Sequence, residues 1–183
     1  MDRITSVKNP MIRDMRALRE RKGREAQGRF LVEGEVMIAE ALRCGLTPRD
    51  LIAEEAHAAF ANGVSARGAR ACIVPRGILE AVCDTRTPQG ICASFDLPEP
   101  AALEGMCRRI VALDGVQDPG NAGTIWRTAD AAGFDGLLLG GGCVDPLSPK
   151  VQRAAMGSGF RVPFAMADDL PEALPGLLAE LHN

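Results

Sequence analysis

The stretch from Ile110 to Phe134 constrains the fold of this chain more than any other: four apolar residues enter a turn rich in Gly and Asp, and a helix follows at once. Ile110 to Leu113 shows no polar alternation and is closed by Asp114-Gly115, the pattern of a strand buried in a parallel sheet. Asp118 stands where an N-cap accepts from free backbone N–H groups, and Pro119 suits the first helical position. Within the helix, Ile125, Ala129 and Ala132 share one face at i, i+4 and i+7, while Thr124, Arg127, Thr128 and Ala131 share another. A strand, a glycine turn and a helix start together aim N–H groups at one spot, where an anionic or strongly polar ligand could sit. Arg127 lies one and a half turns inside that end, facing either the crevice or water.

The alternation continues downstream, with a helix at 121–132, a strand at 136–140, a helix at 149–156, a strand at 161–165 and a terminal helix, which argues for a parallel sheet. Upstream, a basic helix is predicted from about Pro10 to Glu25, capped by Asn9 and packed through Met11, Met15 and Leu18. Short strands at Phe30–Glu33, Leu51-Ile52, Cys72–Val74 and Ile91–Phe95 follow, with helices at Glu35–Cys44, ended by Gly45, and near Gly77–Val82. The segment 97–105, LPEPAALEG, carries two prolines and no periodicity and reads as a linker. The expectation is an α/β chain of two units, 1–98 and 108–183.

Several function classes are disfavoured by what the residues lack. Neither G-x-G-x-x-G nor G-x-x-x-x-G-K-[ST] occurs, so the dinucleotide and P-loop readings fail. The six cysteines, at 44, 72, 83, 92, 107 and 143, are never closer than nine residues apart, so a sequence-local zinc or redox motif is not expected and reduced, buried thiols are. His57 and His182 are the only histidines, and neither has a nucleophile or ligand set beside it in sequence; neither triad hydrolysis nor a catalytic metal is expected. No 18-residue apolar run is present and MDRITSVKNP has no signal-like apolar core, so a cytoplasmic protein without a membrane span is the expectation.

Charge is distributed unevenly. Residues 1–29 hold nine Lys or Arg against four acids, a net +5, so the remainder carries −8 of a total of −3. A basic helix on an otherwise acidic chain suits an RNA backbone, because phosphate contacts give affinity independent of sequence. Arg13, Arg16, Lys22 and Arg24 are the candidates there; a solvated helix face is the alternative.

DGVQDPGNAGTIWRTADAAGFDGLLL resembles the first signature motif of the SpoU/TrmH family of RNA ribose 2′-O-methyltransferases, in which D-P-x-N-x-G-x-x-x-R-T-A follows a strand. SPKVQRAAMGSGFRVPF, at 148–164, is similar to the family's next string, P-K-x-x-R-A-x-x-G-x-x-F-x-x-P. RFLVEGEVMIAEALRCG at 29–45 and TPQGICA at 87–93 are similar to segments of the family's N-terminal RNA-binding domain. The resemblance implies a small N-terminal α/β RNA-binding domain followed by the N-terminal part of a parallel-sheet SPOUT domain, the α/β knot fold. It also implies S-adenosylmethionine as methyl donor, RNA as partner with rRNA favoured over tRNA, and a homodimer. The family's later G-x-E-G-x-G-like and S-L-N-V-like segments, which form its knotted cofactor pocket, do not occur here, so an incomplete knot is expected, the remainder lying outside this sequence or on another chain. Gly140 to Gly142 reads as a strand exit, not as a substitute for them.

In the family the motif arginine, here Arg127, is assigned to activating the ribose hydroxyl, and the motif asparagine, here Asn121, to shaping the turn and holding neighbours. A guanidinium with a pKa above about 12 is a poor general base. Stabilising the developing alkoxide and clamping a neighbouring phosphate is the role that suits Arg127 chemically. Lys150 and Arg153 are further candidates for RNA contact, with solvent-facing charge as the alternative, whereas Glu33 and Gly34 are expected to shape a turn. Two other function classes stay open from sequence: a non-catalytic RNA-binding fragment, and a nucleotide-binding α/β protein unrelated to methyl transfer.

Overall fold

A computed structural model describes residues 1–83, 85, 87–98 and 109–173. They divide into two compact units, Met1–Pro98 with Leu147–Pro149, and Glu99–Pro146 with Lys150–Asn183. Most of the expected linker, 99–105, and the terminal helix beyond its first turn lie outside the described residues.

In the first unit β1 (Asp2–Arg3), β2 (Arg29–Glu33), β3 (Pro48–Ala53), β4 (Arg70–Ile73) and β5 (Ile91–Asp96) form one sheet in the order β1-β4-β3-β5-β2. β1, β4 and β3 run parallel, and β5 is antiparallel to both β3 and β2. Leu31, Ile52, Cys72 and Cys92 turn one face of this sheet toward Met11, Ile12, Met15 and Leu18 of α1 (Pro10–Ala17) and its end, and toward Ile78, Leu79 and Val82 of α5 (Arg76–Cys83). Leu51, Ala53, Ile91 and Ala93 alternate to the opposite face and are also buried, so both faces are covered. α3 (Glu35–Arg43) and α4 (Ala58–Ser65) complete the unit. α4 lies outside the helices expected from sequence, because its Asn62-Gly63 reads as a turn signal. Burial of Ala61 and Val64 on one of its faces outweighs that local preference.

The long basic helix expected over 10–25 is two helices. α1 ends at Leu18, Glu20 is extended at φ −96° and ψ 144°, and α2 (Arg21–Gln27) starts again. The buried guanidinium of Arg24 donates to the carbonyls of Leu18 at 2.8 Å and Arg19 at 2.7 Å, satisfying groups that the broken helix leaves open. Gly23 permits the close return: a Cβ there would lie 2.0 Å from the Ala17 carbonyl oxygen.

β3 extends further than its apolar pair suggests because Asp50, 1% exposed, is neutralised from two strands. It accepts from Arg29 at 2.9 Å and Arg70 at 2.7 Å, and its own N–H donates to the Ser94 hydroxyl at 3.1 Å. A buried carboxylate is tolerable only with such partners.

The second unit holds three parallel strands in the order β6-β7-β8: β6 (Ile110–Leu113), β7 (Gly136–Leu139) and β8 (Phe164–Met166). α6 (Pro119–Ala131) connects the first two; α7 (Pro149–Ala155) and the short α8 (Ser158–Arg161) connect the next. β7 is buried throughout as the middle strand, whereas β6 buries only Leu113 among the described residues and Ala112 is exposed. The strand expected at 161–165 starts at Phe164 instead, because Ser158–Arg161 coils into α8. α6 also buries a different face from Ile125, Ala129 and Ala132. Its packing stripe is Ala122, Trp126 and Ala129, because the indole ring dominates the apolar area available and Ala132 is exposed.

Candidate functional site

The start of α6 is built as its sequence suggests. Asp118 has φ −76° and ψ 122°, and its carboxylate accepts from the backbone N–H of Asn121 at 2.7 Å, with Pro119 in the first turn. Asn121 thus enters the cap through its main chain, and its carboxamide stands at the exposed surface.

Two contacts fix the azimuth of α6. The Trp126 indole N–H donates to the Val162 carbonyl at 3.1 Å, and its ring meets Phe164 edge to face at 5.6 Å between centroids. On the next turn up, Gly123 lies against α7: a Cβ there would be 2.4 Å from the Ala154 Cβ and 2.7 Å from the Ala155 nitrogen. The motif glycine is therefore a close-approach residue between helices, not a ligand cradle.

With Trp126 turned inward, Thr124, Arg127 and Thr128 are turned outward and exposed. They line an open pocket of about 680 Å³ together with Asp130, Ala131, Met156, Ser158 and Arg161. The nearest carboxylate along the helix is Asp130, and it is occupied: the Arg161 guanidinium donates to one of its oxygens at 2.6 and 3.0 Å. Burial works against ionisation of Asp130, but hydrogen bonds from Arg161 and Ser158 outweigh it and hold the carboxyl below its ordinary range. Among the described residues, Arg127 forms no ion pair with any carboxylate. An uncompensated guanidinium beside three hydroxyls and a second guanidinium suits an anion. Arg127 and its threonines are legible in sequence, whereas Arg161 is signalled only by the Arg-Val-Pro of the second motif.

S-adenosylmethionine carries a sulfonium cation, and a pocket of this charge does not fit it. The glycines at the C-terminal end of β7 offer no alternative among the described residues. A Cβ on Gly140 would meet Leu170 at 2.6 Å, and one on Gly141 the Asp168 carbonyl oxygen at 2.7 Å, so both make room for the chain itself. Among the described residues this pocket suits an anionic group, and neither it nor the β7 glycines fits the sulfonium donor.

In the first unit, Arg13, Arg16 and Lys22 are exposed, and Arg13, Arg16 and Arg19 surround a shallow depression of about 420 Å³ with Ala17 and Glu20. Arg24 is not part of this surface. It is 3% exposed and spends its donors on the end of α1, so it is withdrawn from the RNA-contact set proposed from sequence. Lys150 is exposed in the first turn of α7, and Arg153 is half-buried near its end. Glu33 and Gly34 tie two motif segments together: Glu33 accepts from the Gln89 N–H at 2.9 Å, and Gly34, at φ 90°, donates to the Ile91 carbonyl at 2.9 Å. His57 has a partner that sequence proximity did not reveal, Glu35, at 2.7 Å.

Residues 9–93 match the family model for the MRM3-like substrate binding domain, and residues 108–181 match that of the SpoU rRNA Methylase family. The chain is 36% identical to the 23S rRNA (guanosine(2553)-2′-O)-methyltransferase RlmP of Bacillus subtilis (strain 168), over 98% of this chain and 71% of that protein. It is 36% identical to the mitochondrial rRNA methyltransferase 3 of Mus musculus, over 81% of this chain and 38% of that protein. The crystal structure of an AdoMet-bound rRNA methyltransferase from Sinorhizobium meliloti superposes with a TM-score of 0.84 at 32% identity, covering 96% of this chain and 69% of that one. The capped strand-turn-helix, its outward arginine and these matches lead to one conclusion: the chain belongs to the SpoU/TrmH family of S-adenosylmethionine-dependent RNA 2′-O-methyltransferases.

Proposed function

We propose that this protein methylates a ribose 2′-hydroxyl of ribosomal RNA, with S-adenosylmethionine supplying the methyl group when bound. The observation that carries the reading is Arg127, exposed on a cationic pocket while Asp130 is taken up by Arg161. The 2′-oxygen would become nucleophilic as its O–H bond breaks, and the departing proton leaves partial negative charge on that oxygen. Arg127 stabilises this charge and holds an adjacent phosphate, and the proton passes to a phosphate oxygen or to water, since a guanidinium does not accept it. The exposed Arg13, Arg16 and Lys22 provide sequence-independent attraction for RNA in the first unit, and Lys150 and Arg153 do so separately in the second. A homodimer belongs to this reading on the strength of the family resemblance. A cytoplasmic location belongs to it on the strength of the reduced, mostly buried thiols expected from the cysteine spacing.

The test is methyl incorporation into rRNA by the intact protein and its Arg127→Ala and Arg127→Lys variants. Arg127→Ala is expected to lower kcat by about 100-fold or more while RNA affinity changes only a few-fold. Arg127→Lys is expected to stay well below wild type, because an ammonium lacks the planar fork. Near-normal turnover by either variant would refute the assignment.

A further inference from the structure

The wall of the Arg127 pocket contains one residue that neither charge chemistry nor core packing accounts for. Met156 has φ 48°, and among the described residues it is the only non-glycine residue at positive φ; nine glycines occupy the others. Its neighbour Gly157, at φ 87°, shows the residue type that such backbone ordinarily selects. The Met156 side chain gives nothing back to the core, being 59% exposed. It instead stands on the pocket rim with Thr124, Arg127 and Thr128. Met156 directly follows the end of α7, where glycine would stop the helix equally well, so keeping an exposed apolar side chain there motivates a functional reading of that side chain.

We propose that Met156 is a specificity-determining contact for the RNA, its thioether packing against the sugar and base of the nucleotide that Arg127 engages. Apart from the small Ala131 methyl, the rest of the pocket consists of guanidiniums, hydroxyls and a neutralised carboxylate, and its guanidiniums and hydroxyls hold a phosphate without regard to the base attached to it. Met156 adds the one large apolar, polarisable side chain of this pocket, and its unbranched chain adapts to a planar ring. Holding the nucleotide there sets the approach of its 2′-oxygen. The proposal rests on the reading of Arg127 as the RNA-facing arginine.

The test uses the intact protein with Met156→Gly and Met156→Leu, a fluorescein-labelled rRNA fragment for affinity, steady-state methylation, and thermal melting. Glycine accepts φ 48° without strain, so Met156→Gly is expected to melt no lower than wild type. Its RNA affinity is expected to fall about fivefold, from the lost apolar contact, with KM for RNA rising in parallel and kcat changing less. Met156→Leu restores an apolar surface and is expected within about twofold of wild-type affinity. Wild-type affinity and KM in Met156→Gly would overturn the proposal, as would a loss of affinity matched by a fall in melting temperature. Affinity is read without turnover, so the Arg127 assignment can fail in its own assay while the Met156 contact is still decided by binding.

Discussion

Replacing Gly123 by alanine adds one methyl group where α6 and α7 touch. That carbon would lie 2.4 Å from the Ala154 Cβ, 2.7 Å from the Ala155 nitrogen and 2.8 Å from the Ala154 carbonyl carbon. Non-bonded carbons settle at about 3.5–4.0 Å, so the helices must separate by roughly 1 Å. Two of the three obstacles are backbone atoms, which cannot swing aside as a flexible side chain would. Overpacking of this kind costs about 1–3 kcal/mol, and the better helix propensity of alanine returns about 1 kcal/mol of it. A net loss of about 1–2 kcal/mol is expected, or on the order of 5–10 °C in melting temperature for a unit of this size. The function should suffer more, since displacing Arg127 by about 1 Å from the wall formed by Met156 and Ser158 costs on the order of 100-fold in rate. The chain has a single tryptophan, and Trp126 sits on α6 against Phe164, so its fluorescence in a urea titration reports this unit selectively. Gly63→Ala is the control: it is helical, nothing lies within 4 Å of its missing Cβ, and it should stabilise the first unit by up to about 1 kcal/mol by circular dichroism. A Gly123→Ala protein with a wild-type urea midpoint and turnover within twofold would refute this account of the motif glycine.

Three further outcomes are expected. Arg24→Ala should destabilise the first unit by about 1–3 kcal/mol, by leaving the Leu18 and Arg19 carbonyls short of donors, yet leave the salt dependence of RNA binding unchanged; Arg13→Ala should do the reverse, reducing that salt slope by about one. Arg70→Ala alone should cost less than about 1 kcal/mol, since Arg70 is 69% exposed, whereas Arg29→Ala with Arg70→Ala strands the buried Asp50 carboxylate and should cost about 3–5 kcal/mol in a denaturant titration. Asp130 has a depressed folded-state pKa, so its ion pair contributes fully above the unfolded carboxylate value of about 3.9 and is lost as pH falls through the lower folded value. Trp126-monitored stability should therefore drop below about pH 4, and Asp130→Asn should flatten that drop; an unchanged profile in the variant would exclude Asp130 as its source.

The elements that were legible in sequence are those whose cause is local. Asp118-Pro119 specified the start of α6, and Asn9-Pro10 that of α1, because a capping oxygen and a fixed φ act within one turn of chain. The α1 stripe of Met11, Met15 and Leu18 was readable from helical spacing alone. The break after Leu18 was not, because Arg24 reads as a surface cation until the end of α1 is brought to it. The buried Asp50 was invisible for the same reason: its partners Arg29 and Arg70 lie about twenty residues away on either side.

The candidate site divides along the same line. From the chain alone came the motif, the arginine, the hydroxyls beside it and the chemistry that a guanidinium can and cannot perform. The folded protein decided which face of α6 turns outward, since only the Trp126 contacts to Val162 and Phe164 set its rotation. It also decided that Asp130 neutralises Arg161 instead of Arg127, and that Met156 stands on the pocket rim in a backbone conformation that glycine would occupy more easily. Caps and periodicity are properties of a few neighbouring residues, whereas helix rotation and the pairing of charges depend on surfaces that meet only when distant segments pack.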